Sequence, residues 1–523
     1  MSTHLQDQRP ATLEESSNAA VRPATPALRT LSSSRRIAAA TVVSLAGVWG
    51  LVAGLWTPRG PLTSSEAIWS IVISLVVGGV AGYVLRSRWA MLLAPAVFVA
   101  VFELTRLPVD GPMVDGVRAS FYGAIALITG RGFHALLTLL PLALGAAVGA
   151  GLARARAGDR QSASRRWTRA VGRVGTVIVA LALVTLTAGL ARPATTAPIT
   201  GPDGEPVPGS VAELTTVDVG GHDLGLMIRG ANADNPVVLF LAGGPGGSER
   251  GAMRRHLSGL EEHFTVVTWD QRGTGTSYSE LDPTDTVTLD GAVSDTIEVT
   301  DYLRDRFDTE DIYLLGQSWG TTLGILAVQE RPELYRAFIG TGQMVSQRAT
   351  DRIFYDDTSA WAARTGNDGL LRQLEAAGPP PYEEMFPYET ALSHEMAVYP
   401  YDHSGNSEGA GQMSENLLVE EYALIDQVHI LGAVMDTLAT LYPQLQDIDF
   451  RETATDFQVP MYFVQGAHEA GGRAQLFDEW YPMIEAPSKD LAVLDTSGHR
   501  PLWEQPDRFV DYMVGTVLVE TQP

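Results

Sequence analysis

Asp311-Ile312-Tyr313-Leu314-Leu315-Gly316-Gln317-Ser318-Trp319-Gly320-Thr321-Thr322-Leu323-Gly324 lies just past the midpoint of a 523-residue chain. Its first five residues form a β-rich apolar run with strand character, and Thr321–Gln329 suits a helix. Between them sits Gly-Gln-Ser-Trp-Gly. A serine caught between a strand and a helix occupies a sharp, strained turn, and small residues two before and two after it let the backbone fold that tightly. Such a turn presents the hydroxyl at the positive end of the following helix. Ser318 is therefore the candidate nucleophile.

A serine hydroxyl is a weak nucleophile near neutral pH and needs a base, itself oriented by an acid. Around such a turn the chain order is Ser, then acid, then His. His499 follows the apolar run Leu491–Leu494 in Thr-Ser-Gly-His and is the expected base. His222, His256 and His263 precede the serine, and His403 and His429 fall in a helical insertion. The acid should follow the run Met461–Val464, where Glu469 stands; Asp478 and Asp495 are its competitors. Acyl transfer also needs donors for an oxyanion. The backbone N–H of Trp319 is one, and Gly243 or Gly244 of the loop Gly243-Gly244-Pro245-Gly246-Gly247 should supply the other. No Lys-Ser/Thr follows that loop, so it does not read as a phosphate cradle.

Farther out, short apolar runs alternate with helical stretches: Val237–Leu241, Phe264–Thr268, Ile312–Leu315, Phe338–Ile339, Met461–Val464 and Leu491–Leu494. This predicts an α/β domain with a mostly parallel sheet covered on both faces. Leu214–Val219 and Leu224–Ile228, divided by Gly220-Gly221, predict an antiparallel hairpin ahead of it. Between about 343 and 450 the alternation stops, which predicts an inserted helical cap. The domain as a whole spans 211–523.

The amino-terminal third differs in kind. Residues 1–35 read as a disordered tail. Residues 36–190 hold apolar runs at 37–56, 67–85, 89–105, 133–153 and 174–190, which predict about five membrane-spanning helices. The short apolar piece Ala119–Thr129 reads as an interfacial or re-entrant segment or as part of a sixth crossing, which would reverse the parity. Fourteen Arg lie before the first run, at 86–88 or at 154–173, against four in the other two connections, so the amino terminus is expected in the cytoplasm. Five crossings then place the 191–210 linker and the hydrolytic domain on the outer face of the cell membrane.

Residues 1–190 carry 18 Arg and no Lys against 8 acidic residues, leaving 19 basic and 53 acidic residues for 191–523. So acidic a domain argues against nucleic acid as a partner. The absence of cysteine excludes disulfides, thiolate catalysis and Cys-ligated zinc. No metal or organic cofactor is implied, and the sequence does not set the oligomeric state.

Gly243-Gly244-Pro245-Gly246, Trp269-Asp270-Gln271-Arg272-Gly273-Thr274-Gly275-Thr276-Ser277, Gly316-Gln317-Ser318-Trp319-Gly320 and the late His499 with Trp503-Glu504-Gln505-Pro506 together resemble the prolyl iminopeptidase-type branch of the α/β-hydrolases. The resemblance covers about 211–523. It implies an α/β-hydrolase fold with a cap, a peptide or other small-molecule substrate, and aminopeptidase activity. It also implies that Asp270 and Arg272 pin the loop beside the nucleophile as a charge-assisted pair. Two positions depart from the family: Ala242 stands where a His is usual, and Glu469 where the acid is usually Asp. The membrane region leaves open an esterase or amidase acting on small or lipid-like acyl substrates. A hydrolase-like binding protein without activity is the third alternative.

Overall fold

The computed structural model describes residues 26–157 and 166–522. Residues 1–25, most of the expected tail, and Arg160 and Arg165 of the basic connection lie outside the described residues. The amino-terminal region is helical: α1 (Pro26–Trp56), α2 (Ser64–Leu85), α3 (Ala90–Thr105), α4 (Phe121–Ala126), α5 (Phe133–Arg156) and α6 (Arg166–Leu190). The first helix begins at Pro26, so residues 26–35 are helix and not tail. Proline is favoured at the first helical position, and Ala, Leu and Arg follow it as good helix formers.

Ser34–Trp56, Ser64–Leu85, Phe121–Arg156 and Ala170–Leu190 are long and apolar enough to cross a membrane, while Ala90–Thr105 is a shorter apolar helix. Ala119–Thr129 forms no long helix of its own. Most of it is the start of the long fourth helix, where α4 runs through the π-helical segment Leu127–Gly132 into α5. Outward-facing Val76, Val80, Leu152, Val174, Val177 and Leu181 give this region an apolar exterior. Its tightest crossing joins α2 to α5. A Cβ placed at Gly78, Gly82 or Gly149 would lie 2.0 Å from a backbone oxygen of the facing helix. Between apolar helices in lipid, such small residues allow the close backbone approach that holds a pair together.

The remainder is built on one eight-stranded sheet: β1 (Val211–Val219), β2 (His222–Gly230), β3 (Val237–Leu241), β4 (Thr265–Trp269), β5 (Ile312–Gln317), β6 (Tyr335–Thr341), β7 (Met461–Gly466) and β8 (Lys489–Leu494). Their order is β1-β2-β4-β3-β5-β6-β7-β8. The expected hairpin is present, with Leu214 opposite Met227, and β2 is antiparallel to β4. Every other neighbouring pair is parallel.

The central strands are continuous apolar runs because both faces are covered. Val237, Leu239 and Leu241 of β3 and Ile312 and Leu314 of β5 face one core, shared with the helices Leu289–Phe307 and Trp319–Glu330. Val238, Phe240, Tyr313 and Leu315 face the other, with Leu257, Trp503, Phe509 and Val517. Each such fully buried aliphatic or aromatic side chain contributes about 1.5–3 kcal/mol.

The cap lies between β6 and β7 and is helical, as expected. Its helix Leu424–Leu441, here called the roof helix, packs on the Gly275–Leu281 segment of the sheet domain and also on α2, α4 and α6. Cap and helical region therefore meet directly.

Candidate active site

The site forms at the carboxyl ends of the central strands. Ser318 follows β5 with φ +53° and ψ −119°, a conformation sterically costly for a residue with a Cβ. The flanking glycines explain how the turn is tolerated. A Cβ at Gly320 would lie 2.0 Å from the Leu241 carbonyl oxygen, and one at Gly316 would lie 2.5 Å from that of Gly320. The Ser318 N–H donates to the Thr341 carbonyl at 3.0 Å, tying the turn to the end of β6.

His499, on the loop after β8, places Nε2 2.9 Å from Ser318 Oγ. Its Nδ1 lies 2.6 Å from Glu469 Oε2, on the loop after β7. With the Nδ1 proton directed at the carboxylate, Nε2 is left to accept from the serine hydroxyl. The three residues expected from the sequence are thus hydrogen-bonded in series. The competitors are not: Asp495 bonds Gln505 and Arg508, and Asp478 is exposed.

The other oxygen of Glu469 accepts from Arg473 Nε and the Ala470 N–H, both at 2.8 Å. Arg473 also bonds Glu395 of the cap, and its guanidinium lies 4.9 Å from the Phe354 ring centre. Burial pushes the Glu469 carboxyl up, but the charges of Arg473 and His499 and their hydrogen bonds outweigh it and bring it down to about 2.

The His499 loop is held by the Glu504-Gln505 dipeptide. The Gly498 N–H donates to Glu504 Oε2 at 2.5 Å, and Ser497 Oγ donates to Gln505 Oε1 at 2.9 Å. Tyr401 of the cap donates to the other Glu504 oxygen at 3.0 Å.

On the glycine loop, a Cβ at Gly243 would lie 3.5 Å from the Cβ of Ser318. The Gly243 N–H donates weakly to Glu249 Oε2 at 3.4 Å. The N–H groups of Gly244 and Trp319 have no acceptor among the described residues. Of the two expected glycines, Gly244 is therefore the one with a free donor. Burial pushes the Glu249 carboxyl up to about 7, against the opposing pull of the Gly243 hydrogen bond and the Arg500 charge.

Asp270 and Arg272 do not pair with each other. Asp270 is fully buried and takes hydrogen bonds from Tyr422 Oη (2.8 Å) and Thr276 Oγ1 (2.8 Å), with Arg250 Nη2 at 3.0 Å. Arg272 grips Asp295 of the helix Leu289–Phe307 through two bonds of 3.0 and 2.6 Å. Each finds its opposite charge on an element some twenty residues away, which local sequence does not display. The residue between them works closest to the site: Gln271 accepts from Trp319 Nε1 at 2.9 Å. No motif reading singles out Gln271, Glu249, Arg473 or Glu504 for these roles. Only Arg473 leaves a trace in the sequence, as an i,i+4 partner of Glu469 at the start of a helix.

Comparison with known proteins bears on the fold. Residues 236–469 match the family model described as alpha/beta hydrolase fold. The chain is 28% identical to the probable aminopeptidase YbaC of Bacillus subtilis (strain 168) over 305 residues, covering 58% of this chain and 95% of the relative. A probable proline iminopeptidase of Leptolyngbya boryana is 29% identical over 133 residues, covering 25% of this chain and 39% of the relative. Among solved structures, a proline iminopeptidase-related protein from Thermus thermophilus aligns with 60% of this chain and 98% of its own, at 22% identity and a TM-score of 0.42. The chain therefore has the alpha/beta hydrolase fold in its carboxyl-terminal part, is similar there to proteins named as aminopeptidases and proline iminopeptidases, and joins that part to an amino-terminal region of apolar helices.

Proposed function

We propose that the chain is a membrane-anchored serine aminopeptidase that works through Ser318, His499 and Glu469. The observation that carries this reading is the unbroken series from Ser318 Oγ through His499 to Glu469, at 2.9 and 2.6 Å. His499 Nε2 takes the hydroxyl proton as Ser318 Oγ attacks the substrate carbonyl, and Glu469 stabilises the imidazolium that forms. The Trp319 and Gly244 N–H groups take up the negative charge on the carbonyl oxygen. His499 then protonates the leaving amine, and water, activated by the same imidazole, resolves the acyl-enzyme. The aminopeptidase names of the relatives support a peptide substrate. Fluorophosphonate labelling with turnover of aminoacyl-naphthylamides, both abolished by Ser318→Ala, is the expected result. Cleavage of acyl esters alone would refute the peptidase assignment.

A second reading, hydrolysis of lipid-like acyl substrates, draws support from the direct packing of the roof helix on the apolar helical region. Turnover of long-chain nitrophenyl esters without aminopeptidase activity would select it.

The domain is assigned to the outer face. The connections touching it are the arginine-poor ones: Arg59 bonds Asp282, and Arg118 pairs with Glu384. Arg156, by contrast, bonds Tyr83 of α2. The chain has no cysteine, so single-cysteine labelling applies directly. Ser404→Cys should react with an impermeant maleimide on intact cells and Ser87→Cys should not; the reverse pattern overturns the topology.

A further inference from the structure

Arg59 lies on the connection between α1 and α2, yet its side chain is only 1% exposed, as is that of Asp436 on the roof helix. Arg59 donates from Nη1 to Asp436 Oδ2 at 2.9 Å, from Nε to Asp282 at 3.0 Å, and from Nη2 to the Asp110 carbonyl at 2.6 Å. Asp436 also accepts from Tyr278 Oη at 2.9 Å and the Met113 N–H at 3.0 Å. One buried guanidinium and one buried carboxylate thus fasten together both outer connections of the helical region, the roof helix and the segment that follows Asp-Gln-Arg-Gly. His429 Nε2, 3.3 Å from the Pro61 carbonyl oxygen, adds a tie nearer the start of the roof helix. Leu190 of α6 packs with Ile425 beside it.

An adjoining face of the roof helix bears on the glycine loop of the active site. A Cβ at Gly246 would lie 2.6 Å from the Ala433 carbonyl oxygen and 2.9 Å from the Val434 Cα, so the glycine loop and the helix backbone are in direct contact. Thr437 Oγ1 donates to the Gly273 carbonyl at 2.8 Å. Arg59 and Gly246 therefore act on neighbouring turns of one helix from two directions.

We propose that the amino-terminal helical region is a positioning element of the active site: through Arg59 it holds the roof helix against the Gly243–Gly247 loop and so fixes the donor of Gly244 beside Ser318. The region is then more than an anchor, and Arg59 is a positioning residue for acyl transfer. The proposal rests on the reading of Ser318 as nucleophile. Its physical basis is that removing one partner of a buried ion pair leaves an uncompensated charge, which forces the surrounding elements to rearrange.

The test uses the purified full chain in detergent micelles, comparing wild type with Arg59→Met, Arg59→Lys and the control Arg229→Met. Arg229 pairs with Glu261 at 2.7 Å and is about as buried, but sits on β2 and touches the linker instead of the roof helix. The readouts are the fluorophosphonate labelling rate, kcat and KM for an aminoacyl-naphthylamide, and thermal unfolding. Arg59→Met is expected to lower the labelling rate and kcat about tenfold or more at a temperature where it remains folded. Arg59→Lys, which keeps the charge but cannot reach all three acceptors, should fall in between. Arg229→Met should lower the unfolding temperature while labelling stays within about twofold of wild type. Wild-type labelling rates in both Arg59 variants would overturn the proposal, as would losses that merely track the unfolding temperature in all variants. Should Arg59→Met fail to fold, Arg59→Lys decides alone. A wild-type chain that is neither labelled nor active overturns the nucleophile assignment itself, and the proposal with it.

Discussion

Arg473 donates to one oxygen of Glu469 at 2.8 Å while His499 holds the other, so the carboxylate is fixed from both ends. The same guanidinium reaches Glu395 in the cap. Arg473→Met would leave two carboxylates without their shared partner, one of them with a side chain only 4% exposed. The expected result is a fall in kcat of about 10–100-fold with little change in KM, because the loss concerns alignment and not substrate contact. Arg473→Lys should recover part of it. Steady-state kinetics of the two variants checks this.

Glu469→Gln removes the charge that orients His499 and stabilises its protonated form. On the proposed mechanism, kcat should drop by on the order of 10⁴-fold while Ser318 stays accessible. A near-normal rate would show that another residue supplies the acid.

The same carboxylate makes a prediction about acid stability. Its folded-state value, about 2, lies below its ordinary 4.5. A depressed carboxyl stabilises the fold above its unfolded value, and that contribution is lost as pH falls from about 4.5 towards 2. Denaturant melts across this window should show the loss in wild type and its absence in Glu469→Gln.

Glu249 should behave in the opposite sense. Its folded value of about 7 lies above the ordinary 4.5, so its contribution is fully present below 4.5 and lost as pH rises through 7. Glu249→Gln is expected to make the protein more stable than wild type at pH 8 and to flatten the decline between pH 4.5 and 7. Thermal unfolding at pH 5 and pH 8 measures both.

Gly149→Leu should separate α2 from α5, since even a Cβ there would meet the Gly79 oxygen at 2.0 Å. The expected outcome is poor accumulation of the full chain in membranes. Gly151→Leu, on the same helix but facing open space, should accumulate normally. Quantified membrane fractions make the comparison.

Most of the fold is legible because it rests on local patterns. The hairpin around Gly220-Gly221, the buried runs of β3 and β5 and the turn at Ser318 each declare themselves within a few residues. The strand β6 shows in the sequence only at Phe338–Ile339 although it runs from Tyr335 to Thr341, because Arg336 and Gly340 interrupt its apolar character. What stays hidden is pairing across distance. Nothing near Asp270 announces Arg250, and nothing near Arg272 announces Asp295. The partner of Asp436 is 377 residues away in the helical region. Such contacts are decided by how elements stack, and a linear pattern carries no record of that.

The roof helix has one more consequence, in how the chain is made. Leu424–Asp447 is long and apolar enough to count as a membrane span, with a mean hydropathy of 1.3. Were it to insert during synthesis, everything after it, His499 and Glu469 included, would be left on the opposite side of the bilayer from Ser318. Asp436, at the middle of the segment, stands against that outcome, since an aspartate near the centre of an inserting helix costs about 2.5–3.5 kcal/mol. On the proposed membrane anchoring, Asp436 would serve twice: against insertion of this segment while the chain emerges, and as the acceptor of Arg59 once the domain has folded against the amino-terminal helices.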